Sequence, residues 1–230
     1  MNTINRRTFL ALGVVFAAGC SSTRSGSADG TAPPSPLLPV PGGTLGSSRT
    51  AITSVAIVGD SITEGSAATL TTTLTDAGVE DLRIEGKHSR RIEVGNGKGE
   101  APLSGVLTTY NLLAEGVDPD AWVMELGTND VGSYSGADEY GALIDMITTM
   151  IPDKPLVWVN TYRKQYLDET VLFNTVLAER MKARGNAEVA DWYSMASAPE
   201  QTVLRSDDLH PNDNGQLALS LLILQALQQL

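Results

Sequence analysis

The chain of 230 residues holds one cysteine, Cys20, and two histidines, His88 and His210. A lone cysteine excludes a disulfide framework within the chain. One cysteine and two histidines also fall short of the ligand set of a Cys/His zinc site. Positive charge is scarce. Lys and Arg number 16 against 27 Asp and Glu, the formal net charge is -11, and the basic residues form no stripe. Docking on a nucleic-acid backbone requires clustered cations to neutralise phosphates, so nucleic acid is excluded as a partner. Long apolar runs are missing at the N-terminus. The run from Phe9 to Ala18 is about ten residues, short of the ~20 that a membrane-spanning helix needs.

What is present there has the layout of an export signal. Arg6 and Arg7 precede the short apolar run, which closes on "AAGC" at Cys20. The paired arginines resemble a twin-arginine signal, although Asn5 replaces the usual Ser or Thr, so the general secretory route stays open. Small residues before a cysteine resemble a bacterial lipobox. Residues 1–19 are therefore expected to be a signal peptide and Cys20 the lipidated first residue of the exported chain. Only Arg6 and Arg7 leave with that peptide, taking the formal charge from -11 to -13. Residues 20–50 are rich in Ser, Gly, Pro, Thr and Ala without apolar periodicity. Such a stretch cannot bury enough surface to offset its ordering entropy, and it reads as a tether. The expected location is the extracytoplasmic face of a membrane, held by the lipid.

From Ala51 the pattern changes. Short apolar runs at 52–59, 81–85, 121–127, 155–162 and 187–193 read as strands. Helical stretches at about 60–77, 103–115, 137–150, 167–184 and 213–229 separate them. In the fourth helix Val171, Asn174, Thr175, Ala178, Met181 and Lys182 mark the turns. Strands alternating with helices predict a parallel sheet with helices on both faces, a three-layer α/β/α domain of five strands over 51–230. In such sheets the functional crevice lies at the carboxyl ends of the strands.

Three strand ends there carry polar motifs. The first strand runs into "GDSITEG" (59–65), which places Ser61 at the start of a helix. The pattern is not the G-x-S-x-G elbow, because Thr63 stands at the second glycine. A Ser at such a turn is by type a helix N-cap; as a nucleophile it would need a base. The third strand ends in "GTND" (127–130), where Asn129 offers an amide donor or forms a local turn. "SDDLHPND" (206–213) holds His210. Residues three apart on a turn share a side, so Asp207 suits the imidazole better than Asp208. His88 reads as a solvated loop residue.

Together "GDSITEG", "GTND" and "DDLHPND" resemble blocks one, three and five of the SGNH (GDSL-like) hydrolases, over about Ser54 to Leu230. The resemblance implies a flavodoxin-like SGNH fold, with Ser61 as nucleophile, His210 as base and Asp207 as its orienting acid. It also implies Asn129 and the Ser61 N–H as oxyanion donors, with no metal or organic cofactor. Block two departs from the family. "IEGKHSRRI" (84–92) resembles the D-A-x-x-G-R segment of SGNH domains associated with membrane acyltransferases of cell-wall sugars. In that alignment Ser89 takes the glycine's place and supplies the second oxyanion N–H, with Gly86 as the alternative. Arg90, Tyr162 and Arg163 are candidate substrate-binding residues. The expected activity is hydrolysis, or transfer, of an O-acyl group on a cell-envelope carbohydrate, by a monomer with a membrane acyltransferase as a partner. Two rivals stay open: a carbohydrate-binding lipoprotein on the same fold without turnover, and a lipase, for which no long apolar lid is visible.

Overall fold

The computed structural model describes residues 51–200 and 202–230. The expected signal peptide (1–19), the lipidation site Cys20 and the tether (20–50) lie outside the described residues. Five parallel strands form one sheet in the order β2-β1-β3-β4-β5. They are β1 (Ser54–Gly59), β2 (Asp81–Gly86), β3 (Ala121–Glu125), β4 (Leu156–Val159) and β5 (Ala187–Ala190). The helices are α1 (Ser61–Asp76), α2 (Gly105–Ala114), α3 (Ala137–Thr148), α4 (Leu167–Arg184), α5 (Trp192–Ser197) and α6 (Asp213–Leu227).

The three layers follow from side-chain alternation. Successive residues of a strand point to opposite faces. Val55, Ile57, Val123, Val157 and Val159 therefore meet one set of helices, where Ile62, Leu70 and Leu74 of α1 pack with Leu219, Ile223 and Leu227 of α6. Ala56, Val58, Trp122, Met124, Leu156 and Trp158 face the other way, onto Tyr140, Ile144 and Ile147 of α3 and Phe173, Leu177 and Met181 of α4. The central strands are buried on both faces, which is why they read as continuous apolar runs. Among the described residues no helix is long and apolar enough to cross a membrane.

Two sequence expectations are corrected. The fifth strand stops at Ala190, because the Asp191 carboxylate accepts from the Ser194 N–H (3.1 Å) and starts α5. The apolar face of α4 is also rotated from the expected one. Thr170, Phe173, Val176, Leu177 and Met181 are buried, whereas Val171 is 48% exposed. The helix turns the stripe that contains its one aromatic residue, Phe173, toward the sheet.

Helix starts set the functional edge. Asp60 caps α1: its Oδ1 accepts from the Ile62 N–H at 2.8 Å. Asn212 caps α6 by accepting from the Gly215 N–H at 3.0 Å. At β2, Gly86 lies so close to α1 that a Cβ on it would sit 2.4 Å from the Glu64 nitrogen. Only glycine permits that approach of strand to helix.

Candidate active site

Ser61 is the first residue of α1, and because Asp60 does the capping, its hydroxyl is free for other work. Its N–H, at the first helical position, has no partner within the helix. Ser61 Oγ lies 2.9 Å from His210 Nε2. On the other side of the ring, His210 Nδ1 lies 2.8 Å from Asp207 Oδ2. The second Asp207 oxygen, Oδ1, accepts from the N–H groups of Leu209 (3.0 Å) and His210 (2.9 Å). One carboxylate thus holds both the ring and the backbone of His210. Burial raises the Asp207 pKa, but the His210 ring and the two N–H groups outweigh it and hold the carboxyl at about 2.

The short loop bearing this pair is pinned. Arg205 N–H donates to the His210 carbonyl (2.8 Å), Asp208 N–H to the Arg205 carbonyl (3.1 Å), and Leu204 bridges to Pro211. The tight turn requires a left-handed residue, and Asp208 adopts φ 56. Asp is among the few non-glycine types that tolerate this region. The Asp208 side chain turns away from His210 to Lys164 Nζ, 2.8 Å distant.

Asn129 joins three loops. Its Nδ2 donates to Asp60 Oδ2 (2.9 Å) and to the Arg90 carbonyl (3.0 Å). It does not bond its own backbone, and neither amide hydrogen is free in this arrangement. The neutral Arg90 carbonyl is the weaker acceptor of the two. Ser89, next to it, sits in a turn closed by the Arg90 N–H on the Lys87 carbonyl (3.2 Å), with φ 58. That backbone is the one a glycine would favour, and Ser89 adopts it. Gly86 lies within β2, where its lack of a Cβ is explained by α1.

The family model described as GDSL-like Lipase/Acylhydrolase family matches residues 57–218, well over half of the chain. The protein belongs to this family. Its members are esterases and other acyl hydrolases. Solved structures with the same fold include the catalytic domain of Streptococcus pneumoniae peptidoglycan O-acetyltransferase A, bearing a methylsulfonyl adduct. It is 18% identical, with TM-score 0.60 over 77% of this chain and 94% of that one. An Enterococcus faecalis lipase/acylhydrolase is 20% identical, with TM-score 0.61 over 77% and 96%. A Clostridium thermocellum family 3 carbohydrate esterase is 19% identical, with TM-score 0.56 over 76% and 94%. A search of the curated proteins finds no match.

The other candidate residues of this GDSL-like domain divide. Arg163 reaches the site. It donates from Nη1 to the Thr128 carbonyl (2.7 Å), stacks over Tyr166, and lines a cavity of 280 Å³ with Lys164, Gln165, Asp207, Asp208 and Leu209. Arg90 and Tyr162, expected at the pocket wall, point elsewhere. Arg90 is 5% exposed, and its guanidinium donates to the carbonyls of Gly59 (2.8 Å), Leu103 (3.1 Å) and Glu85. A fork of N–H donors is matched there to three backbone acceptors, so it ties the loop after β2 to the sheet. Tyr162 is a core residue, edge-on to Tyr193 at 5.9 Å. His88 is exposed and stands near Glu64, whose Oε2 accepts the His88 N–H at 2.8 Å.

Sequence reasoning missed a buried pair beneath Ser61. Asp60 and Glu125 are 0% and 3% exposed. Glu125 Oε2 accepts from the Thr63 N–H (3.1 Å) and hydroxyl (2.9 Å). Desolvation pushes the Asp60 carboxyl up to about 6 and, with the Asp60 charge, holds Glu125 well above the usual range. Asp130, also buried, is raised to about 6 by desolvation, against the opposing N–H of Ile92 and the Arg91 guanidinium. The available signal was Glu125 itself, an ionisable residue inside the apolar strand "AWVMELG". Among the described residues no group of three or more His, Cys, Asp and Glu side chains is arranged to hold a metal ion.

Proposed function

We propose that the protein is a serine esterase that removes, or transfers, an O-acyl group, an O-acetyl group in the simplest case, on a cell-envelope carbohydrate. The observation that carries this reading is the unbroken line from Ser61 Oγ through the His210 ring to the Asp207 carboxylate, at 2.9 and 2.8 Å. A serine hydroxyl becomes a nucleophile only beside a base, and an imidazole serves as that base only in the tautomer that leaves Nε2 unprotonated. The Asp207 carboxylate, accepting from Nδ1–H, selects it.

In this reading Ser61 Oγ attacks the ester carbonyl and His210 Nε2 takes its proton. The developing oxyanion meets the N–H groups of Ser61 and Ser89 and the Asn129 amide, which releases the Arg90 carbonyl. His210 then gives its proton to the departing sugar oxygen, leaving an acyl-Ser61 ester. Water, deprotonated by His210, releases the acid and restores the hydroxyl. A sugar hydroxyl in place of water makes the same site a transferase.

The carbohydrate assignment rests on the block-two resemblance and on two fold neighbours, one a peptidoglycan O-acetyltransferase and one a carbohydrate esterase. Export, lipidation at Cys20, a monomeric state and a membrane acyltransferase as partner belong to the proposal. The rival of a carbohydrate-binding domain without turnover draws on the engaged Asn129 amide and on Ser89 in the glycine's place. Turnover of p-nitrophenyl acetate by the full chain in detergent, with fluorophosphonate labelling, separates the two. Ser61→Ala and His210→Ala should each lower kcat by ~10⁴ to 10⁶. Unchanged turnover in Ser61→Ala ends the esterase reading, and a folded, unlabelled, silent wild type favours the rival.

A further inference from the structure

Asp60 directly follows the last residue of β1 and Glu125 is the last residue of β3, and the register pairs Gly59 with Glu125. Glu125 Oε2 lies 3.4 Å from the Asp60 nitrogen and both side chains are shut off from water, which brings the two carboxyl groups within reach of one shared hydrogen bond. A bond between two carboxyl groups needs one proton, and two bare charges there would be neither solvated nor paired. The surroundings decide which group carries it. Asp60 accepts from the Ile62 N–H and the Asn129 amide, and the Arg90 guanidinium and the His210 ring lie within its electrostatic reach. Glu125 is supported by Thr63 and the Asp60 N–H, and the Asp60 charge opposes its ionisation. The charge belongs on Asp60 and the proton on Glu125.

We infer that Glu125 is a positioning residue for the reaction at Ser61: as a neutral acid it donates to Asp60, and so fixes the carboxylate that caps the nucleophile's helix and aims the Asn129 amide. The inference rests on the esterase reading above. It explains why the family motif's Asp60, next to the nucleophile but unused by the triad, is held from three sides. Asp60 takes one donor from α1, one from the loop after β3 and one from β3 itself. The single negative charge of the pair also lies where it favours the imidazolium that forms when His210 takes the Ser61 proton. Loss of the Glu125 proton would set two charges against each other and move Asp60, and with it Asn129. The titratable groups facing the pair are Arg90 from the loop after β2, His210 from the loop before α6 and Asp130 from the loop after β3.

Gln at 125 reproduces the neutral acid, with a carbonyl for the two Thr63 donors and an amide for Asp60. Leu reproduces neither. With p-nitrophenyl acetate and the full chain, Glu125→Leu should lose about 10²-fold in kcat with KM changed less than about threefold, whereas Glu125→Gln should keep kcat within about threefold of wild type. The wild-type kcat should decline at alkaline pH as the proton leaves, and this decline should be weaker in Glu125→Gln. Melting reads the same proton without substrate. A carboxyl raised by folding keeps its proton longer in the native state, so it costs stability as pH rises. The fall in Tm between about pH 5 and about pH 9 should therefore be smaller in Glu125→Gln than in wild type. Gln as damaging as Leu, or an unaltered pH dependence of Tm, overturns the positioning role while wild-type turnover leaves the esterase reading intact. A silent, unlabelled wild type instead overturns the esterase reading and the positioning role with it.

Discussion

Replacing Asp207 tests how the His210 ring is oriented and, with it, the proposed role of that ring as base, and the structure ranks two substitutions that residue type alone would not. The Asp207 side chain is 49% exposed, so water screens its charge. At ~4 Å a carboxylate and an imidazolium attract by about 1 kcal/mol in water and about 4 kcal/mol at an effective dielectric constant of 20. An exposed pair belongs near the lower end, at roughly 2 kcal/mol. Adding the loss of tautomer selection, Asp207→Ala should lower kcat about 10²-fold, against ~10⁴ for a buried triad acid. Asp207→Asn is the more severe change. Asp207 Oδ1 accepts two N–H groups, from Leu209 and His210, so the NH₂ of an Asn cannot sit there. It must face His210 Nδ1, forcing the proton onto Nε2 and blocking the base. Steady-state kcat for p-nitrophenyl acetate should fall by ~10³ to 10⁴ in Asp207→Asn, below Asp207→Ala. Circular dichroism melting checks that both variants are folded. Equal activity in the two, or an Asn variant more active than the Ala variant, would refute the argument from the two N–H donors.

Gly86→Ala must move β2 or α1, because the new Cβ would meet the Glu64 backbone at 2.4 Å; urea denaturation should show a loss of about 1–3 kcal/mol, and no loss would contradict the close approach. Arg90→Lys replaces a fork matched to backbone carbonyls by a single point donor. It should lower stability by about 2 kcal/mol and leave KM for the ester unchanged, and a raised KM in a fully stable variant would return Arg90 to the substrate. Asp130, raised to about 6, holds a proton near pH 5 in the folded chain that the unfolded chain has lost. Stability should therefore fall as pH rises from about 4 through about 6, and Asp130→Asn should flatten that part of the Tm profile. A Tm that climbs over the same window would show that the Arg91 ion pair and the Ile92 N–H outweigh the desolvation of Asp130.

The layers were legible because parallel strands buried on both faces must be apolar throughout, and Val55–Val58 and Ala121–Met124 are. The phase of α4 was harder. That helix mixes Val171 and Ala178 with Phe173, Val176 and Leu177, and two stripes of similar apolar content compete. Only contact with the sheet and with α3 selects the one carrying Phe173. The end of β5 was obscured for a related reason: "DWY" continues a strand-like composition, while Asp191 acts as a helix cap, a role that depends on the neighbouring turn.

The site shows the same division more sharply. Residues read through short-range rules came together as expected: Asp207 and His210 through their spacing, Ser61 and Asn129 through strand ends that the topology makes neighbours. Arg90 and Tyr162 did not: the Arg90 guanidinium follows acceptors contributed from elsewhere, the carbonyls of Gly59, Glu85 and Leu103, and the Tyr162 ring packs into the core against Tyr193. The Asp60–Glu125 pair is the extreme case. Asp60 carries no signal of the pairing in its own motif, and 65 positions separate it from Glu125. What joins them is the register of β1 with β3, which sets the ends of both strands side by side beneath Ser61. An acid within an apolar strand is costly to bury unless something receives it. Its presence in "AWVMELG" is therefore a signal that calls for a partner on a neighbouring strand end, although the position of that partner depends on the register. The same inference applies wherever a buried strand of a parallel sheet closes on a carboxyl group, and here it leads to the residue beside Ser61.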